Sequence, residues 1–114
     1  MADYIEAQQG SAIICSTDNA VPVFSSVLGT RYSKSVVIQA LATNTGYIYV
    51  GQTSSTRATL AIAVLDSGQS VTFETSQMGL RGGVAFDLAD FWVIASIAGE
   101  QVFGTYMREK KVQA

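Results

Sequence analysis

The stretch NTGYIYVG, residues 44–51, decides how the rest of the chain is read. A turn-prone Asn44-Thr45-Gly46 leads into Tyr47-Ile48-Tyr49-Val50 and stops at Gly51. As a β-strand it turns successive side chains to opposite faces, with Ile48 and Val50 on one and Tyr47 and Tyr49 on the other. Both faces are then apolar or aromatic. A small domain needs one such face for its core, so the second calls for an explanation.

Upstream, KSVVIQALATN (residues 34–44) alternates Val36, Ile38 and Ala40 against Val37, Gln39 and Leu41. Two β runs joined by a short glycine-containing link predict a hairpin of residues 34–44 with 47–50. Downstream, QTSSTR (residues 52–57) is polar enough for an exposed loop, and ATLAIAVL (residues 58–65) is expected to be a strand, on its Thr59, Ile62 and Val64. Asp66-Ser67-Gly68 is a turn signal, and QSVTFET after it alternates Val71 and Phe73 against Thr72 and Glu74. The glycine-rich residues 76–86 are read as a loop. FWVIASI (residues 91–97) is a strand apolar on both faces. Ala98-Gly99-Glu100 turns the chain, and residues 101–108 return. Nearer the start, SAIICST and VPVFSS predict two further strands, with Pro22 marking an edge or a strand start.

Many short strands with turn signals between them predict an all-β fold, a small antiparallel β-sandwich or jelly-roll-like barrel. Residues 1–10 are set apart as an extended N-terminal arm, with a helical turn possible over residues 3–8; residues 11–114 form one β-sandwich domain. The expected core is Val36, Ile38, Ile48, Val50, Ile62, Val64, Val71, Phe73, Phe91, Val93 and Ile97. Trp92 and Ile94 then point away from it, as Tyr47 and Tyr49 do. Contiguous apolar surface of that kind marks an interaction site.

The bulk composition agrees. A chain of 114 residues holds one core. Only 14% of its residues are charged, against about 25% in ordinary chains, which leaves apolar surface for a partner. Seven basic residues against nine acidic ones make no electrostatic case for nucleic acid. The cluster Arg108, Lys110 and Lys111 reads as a solvated terminus, with an electrostatic contact to an acidic partner as the alternative. No apolar run is long enough to span a bilayer, and MADYIEAQQG has neither the basic start nor the apolar run of a secretory leader.

The inventory also argues against catalysis. The chain has no histidine, so it has neither a Ser-His-Asp triad nor the usual neutral-pH base. Its one cysteine, Cys15, excludes an internal disulfide and a cysteine-based zinc site, and is expected to be a small buried hydrophobe in a strand. MGLRGGV lacks the spacing of a phosphate loop. Asp87 and Asp90, three apart in FDLADF, are read as turn and cap residues rather than as a carboxylate pair or calcium ligands. No catalytic, cofactor-binding or metal-binding residue is assigned.

NTGYIYVG, followed by LDSGQSVTFE and DLADFWVIASIAGEQV, resembles the small β-sandwich virion proteins of tailed bacteriophages. The likeness runs over residues 34–108 and rests on the order and spacing of these pieces. Residues 76–86 are longer than in that pattern, and Asp66-Ser67 stands where the turn often holds a proline. The resemblance implies a head decoration or cement protein on the capsid exterior, made in the host bacterial cytoplasm. Its expected partners are the major capsid protein and sister subunits of a homotrimer, with no nucleic acid, membrane or small-molecule substrate. Tyr47, Tyr49, Trp92 and Ile94 are its expected interface residues, joined by Tyr4 and Ile5 of the arm. Two rivals stand beside it: a tail, baseplate or fibre module that stacks Tyr32 or Tyr49 on host sugars, and a β-sandwich binding module unrelated to phage. A third possibility is a monomer whose own loops cover Tyr47 and Trp92.

Overall fold

The structure, a computed structural model, describes residues 4–9, 12–24, 32–74 and 85–110; for residues 4–9 and 108–110 it describes the backbone. Of the loop expected over residues 76–86, residues 76–84 lie outside the described residues, as does Lys111, and Phe86 belongs to a strand rather than to the loop. The described residues form eleven strands: β1 Tyr4–Gln9, β2 Ile13–Ile14, β3 Val21–Pro22, β4 Tyr32–Ser33, β5 Ser35–Ala40, β6 Ile48–Gly51, β7 Ala63–Leu65, β8 Ser70–Glu74, β9 Phe86–Asp87, β10 Trp92–Ala95 and β11 Gln101–Lys110. The only helical elements among the described residues are two 3-10 turns, Ala58–Leu60 and Leu88–Asp90. The all-β reading therefore holds.

One sheet runs β1-β11-β5-β8, with β2 also paired to β11, and a second runs β3-β10-β6-β7; β4 and β9 form a small separate pair. All pairings are antiparallel. The chain crosses between the two sheets at β2 to β3, β5 to β6, β7 to β8 and β10 to β11. Laid side by side, β2-β11-β5-β8 and β3-β10-β6-β7 therefore carry chain neighbours at matching positions. That is the wiring of a jelly roll.

This wiring corrects the hairpin expected around residues 44–46. β5 pairs with β11 and β8, while β6 pairs with β10 and β7, so the two never meet in one ladder. The Asn44-Thr45-Gly46 link is a corner between sheets. It is held by the residues that start β11. Asn44 is buried, and its side chain pairs with the Gln101 backbone, Nδ2 donating to the carbonyl at 2.8 Å and Oδ1 accepting from the amide at 2.9 Å. An amide side chain thus replaces a backbone rung where β5 leaves the sheet. The buried Glu100 carboxylate accepts from the Thr45 amide at 2.9 Å, the Gly46 amide at 3.2 Å and the Thr45 hydroxyl at 3.3 Å. Backbone donors turned inward at a corner need acceptors, and Glu100 supplies them.

The Asp66-Ser67-Gly68 turn is formed as expected, with Gly68 at φ +75°, and it too passes between sheets. Gly99, at φ +88°, serves the turn into β11. Both positions lie in the left-handed region that glycine enters without steric cost. Pro22 lies in β3, an edge strand, where its missing amide hydrogen costs no rung.

The core lies between the two large sheets. Val36, Ile38 and Ala40 of β5, Ile48 and Val50 of β6, Phe73 of β8, Val93 and Ala95 of β10, and Val102 and Tyr106 of β11 are buried together. Phe91 is the centre of an aromatic cluster, with ring centroids 5.3 Å from Phe73, 5.9 Å from Phe86 and 6.1 Å from Phe24. Phe24 also meets Tyr106 edge-on at 5.6 Å. Gly104 makes room for it, since a Cβ there would lie 2.5 Å from Phe24 Cζ.

Three expected core residues are not in the core. Ile62, Val64 and Ile97 are 51%, 52% and 46% exposed. The strand read over residues 58–65 is only Ala63–Leu65, preceded by a 3-10 turn. In it Ala63 pairs with Val50 and Leu65 with Ile48, so the odd-numbered residues face inward. The side-chain period of two makes an error of one residue a complete exchange of faces. Ile97 lies beyond the end of β10, in the turn toward β11. Val71 is only partly buried against the core.

Residues 4–9 are extended and do not form a helical turn. They are strand β1, paired along its length with the last six residues of β11. Cys15 is buried as expected, but one residue past β2 rather than inside a strand; its amide donates to the Glu100 carbonyl at 2.8 Å.

Candidate interaction surface

The outward face of the β3-β10-β6-β7 sheet carries the residues singled out in the sequence. Register fixes which they are. Val93, Val50 and Ala63 lie across from one another on the inner face. Their chain neighbours therefore point outward: Ile94 opposite Tyr49, Tyr49 opposite Val64, and Trp92 between Pro22 and Gly51. The ladder continues one step further, because the Tyr47 amide donates to Ser96 Oγ at 2.8 Å and the Ser96 amide to the Tyr47 carbonyl at 3.0 Å. Tyr47 consequently lies on the same side as Tyr49.

Exposure differs among them. Tyr47 is 49% exposed, while Tyr49 and Trp92 are half-buried. Ile94 is 8% exposed and yet does not belong to the inner core. It is the floor of the outer face rather than a surface that a partner can touch, which corrects the expectation that it is exposed. Beside Gly51 the face is roofed locally. Thr56 is buried against Gly51, and its hydroxyl donates to the Thr53 carbonyl at 2.6 Å. Tyr4 and Ile5 are placed away from this surface, on β1 at the far edge of the other sheet, opposite Lys110 and Glu109.

Val64 was missed as a surface residue because its β-branched bulk suggested core. The signal available was Leu65, the larger aliphatic immediately before the Asp66 turn, whose alternative phase puts Val64 beside Tyr49. With Val64 and Ile62 added, the outward face is aromatic and aliphatic from β3 to β7. The opposite outward face differs in character. There Gln39, Ser70, Thr72, Gln101 and Thr105 stand among Ile14, Val37, Phe103 and Met107, so polar and apolar side chains are mixed. Only one of the two outer faces is thus built almost wholly of apolar side chains.

Among the described residues no group of three or more potential metal ligands occurs, and no helix is long and apolar enough to cross a membrane. Asp87 caps the 3-10 turn Leu88–Asp90, its Oδ1 accepting from the Ala89 amide at 3.0 Å, as a turn residue should. Burial first, and the Glu100 carboxylate second, push the Cys15 thiol up to about 11, so it is a protonated, unreactive group at neutral pH. In comparisons with known proteins no family model, no curated protein and no solved structure matches the chain.

Proposed function

We propose that the protein is a structural virion component of a tailed bacteriophage that binds the outside of the head shell and braces neighbouring capsid subunits. The observation that carries this reading is the outward face of the β3-β10-β6-β7 sheet. Tyr47, Tyr49, Val64 and Trp92 lie on it, over a buried Ile94. A bracing protein acts by burying surface between subunits that internal pressure drives apart. It needs a broad apolar contact with no reactive group, and a standard interface of about 1,200–2,000 Å² suffices. Aromatic side chains are the usual anchors of such contacts. The resemblance over residues 34–108 supports the reading, as does the jelly-roll wiring, a fold common in viral capsid domains; the latter is an argument by analogy. Sister subunits of a homotrimer and the major capsid protein are the partners that this reading assigns.

Purified protein mixed with empty heads and sedimented tests it. Wild-type protein should pellet with the heads, and Trp92→Ser and Tyr49→Ser variants, folded by circular dichroism, should remain in the supernatant. Variants that pellet like wild type would remove this face from the contact. Particles lacking the protein should lose infectivity at lower temperature than intact ones, and equal heat resistance would rule out bracing. Strong binding to a glycan array without binding to heads would favour the attachment module instead.

A further inference from the structure

We infer that β1 pairs edge to edge with β1 of a second copy of this chain, joining two β1-β11-β5-β8 sheets across a twofold axis. The argument begins with the length of β11. This strand has ten residues, and β5 accompanies it only from Val102 to Tyr106. The Met107 carbonyl still finds a partner on that side, accepting from the Ser33 hydroxyl at 2.7 Å. Beyond it, among the described residues, β11 is accompanied by β1 alone, with Tyr4 opposite Lys110 and Ala7 opposite Met107. At about 3.3 Å per residue, a two-stranded ribbon roughly 10–13 Å long runs past the sandwich. The molecule is correspondingly drawn out, 50 Å along one axis against 26 and 23 Å along the others. A two-stranded ribbon is marginal in water and gains from a third strand.

The other sheet edges differ from β1. β3 is closed to further pairing by Pro22, and β7 has only three residues. β8, the other edge of the same sheet, has five residues and is paired along all of them with β5, so it does not project as the β1-β11 ribbon does. β1 has six residues, YIEAQQ, with no proline, no lysine and a single charge. Its sequence holds neither of the residues, proline and lysine, that most often block edge pairing.

The sequence of β1 also suits its own copy. An antiparallel contact between identical strands is isologous, so each residue pair occurs twice. A twofold axis perpendicular to the sheet passes where a residue stands opposite its own copy, and a dyad through Ala7 sets Glu6 opposite Gln8 and Ile5 opposite Gln9. No like charges meet in that register, whereas a dyad through Glu6 itself opposes two carboxylates. The contact is formed by the edge of one sheet and leaves the outer face of the other sheet free. It therefore stands or falls separately from the capsid reading.

Full-length protein tests the pairing. Light scattering after size exclusion should give a mass that halves on dilution. Adjacent residues of a strand direct their amides to opposite edges, so one of Glu6→Pro and Ala7→Pro removes an outward amide while sparing the β11 ladder. That variant should keep the wild-type spectrum and show half the wild-type mass at all concentrations. An Ile5→Cys/Gln9→Cys variant should form a covalent dimer on mild oxidation, because positions 5 and 9 of the two copies stand opposite each other at disulfide distance. The same result serves if neither proline variant folds. A wild-type mass of one or of three chains at every concentration, a mass unchanged by both prolines, or a cysteine pair that gives no covalent dimer would overturn the inference.

Discussion

Replacing Asn44 by alanine tests how the corner between the two sheets is held. Asn44 is 7% exposed and makes two hydrogen bonds to one residue, donating to the Gln101 carbonyl and accepting from its amide. The two ends of that pair fare differently when the side chain is lost. The Gln101 carbonyl keeps a second donor, the Leu41 amide at 3.2 Å. The Gln101 amide loses the acceptor on that side. A net contribution of about 1 kcal/mol for the lost donor bond adds to about 1–3 kcal/mol for an unsatisfied buried amide. The expected destabilisation is about 3 kcal/mol, which for a chain of this size lowers the thermal midpoint by roughly 10–15 °C. Urea titration followed by tryptophan fluorescence at Trp92 measures it, with Thr43→Ala, an exposed neighbour, expected to stay within about 0.5 kcal/mol of wild type. A loss below about 1 kcal/mol for Asn44→Ala would mean that the corner is not held by this amide.

Two further outcomes are expected. If β7 faces inward through Leu65, Leu65→Ala should cost about 2–5 kcal/mol in urea titration while Val64→Thr changes stability by about 0.5 kcal/mol or less; the reverse order would restore the phase expected from side-chain bulk. Cys15 should resist a thiol reagent at pH 8 in the folded protein and react on unfolding. Burial raises its folded pKa to about 11, from an ordinary thiol value of 9.0. The unfolded chain therefore releases this proton first, so the stabilisation is complete below about pH 9 and is lost as pH rises through about 11. Cys15→Ala should remove that part of the alkaline loss, and an unchanged profile would show that the thiol does not titrate in this way.

Much of the architecture was legible in the chain because strands advertise themselves locally. The alternation of Val36, Ile38 and Ala40, and of Ile48 and Val50, required only a period of two and identified the inner face at once. Turns at Gly68 and Gly99 followed from residues suited to positive φ. The same local signal identified the outward side of Tyr47, Tyr49 and Trp92, and so the candidate surface. It erred where two phases were both apolar. In ATLAIAVL either Ile62 with Val64 or Ala63 with Leu65 can face inward, and the larger pair was the natural choice. Only the pairing of Leu65 with Ile48 decides between them.

What the tertiary structure alone determined is which strand lies beside which. Residues 44–46 have the composition of a hairpin turn, yet they carry the chain from one sheet to the other, because Glu100 and Gln101, more than fifty positions later, supply the partners that hold a corner. Residues 4–9 likewise become a strand through β11, at the opposite end of the chain. Side-chain alternation is a property of neighbouring residues and is written into the sequence. A backbone hydrogen bond between sheets, or between the two ends of a chain, depends on a partner that no local pattern specifies.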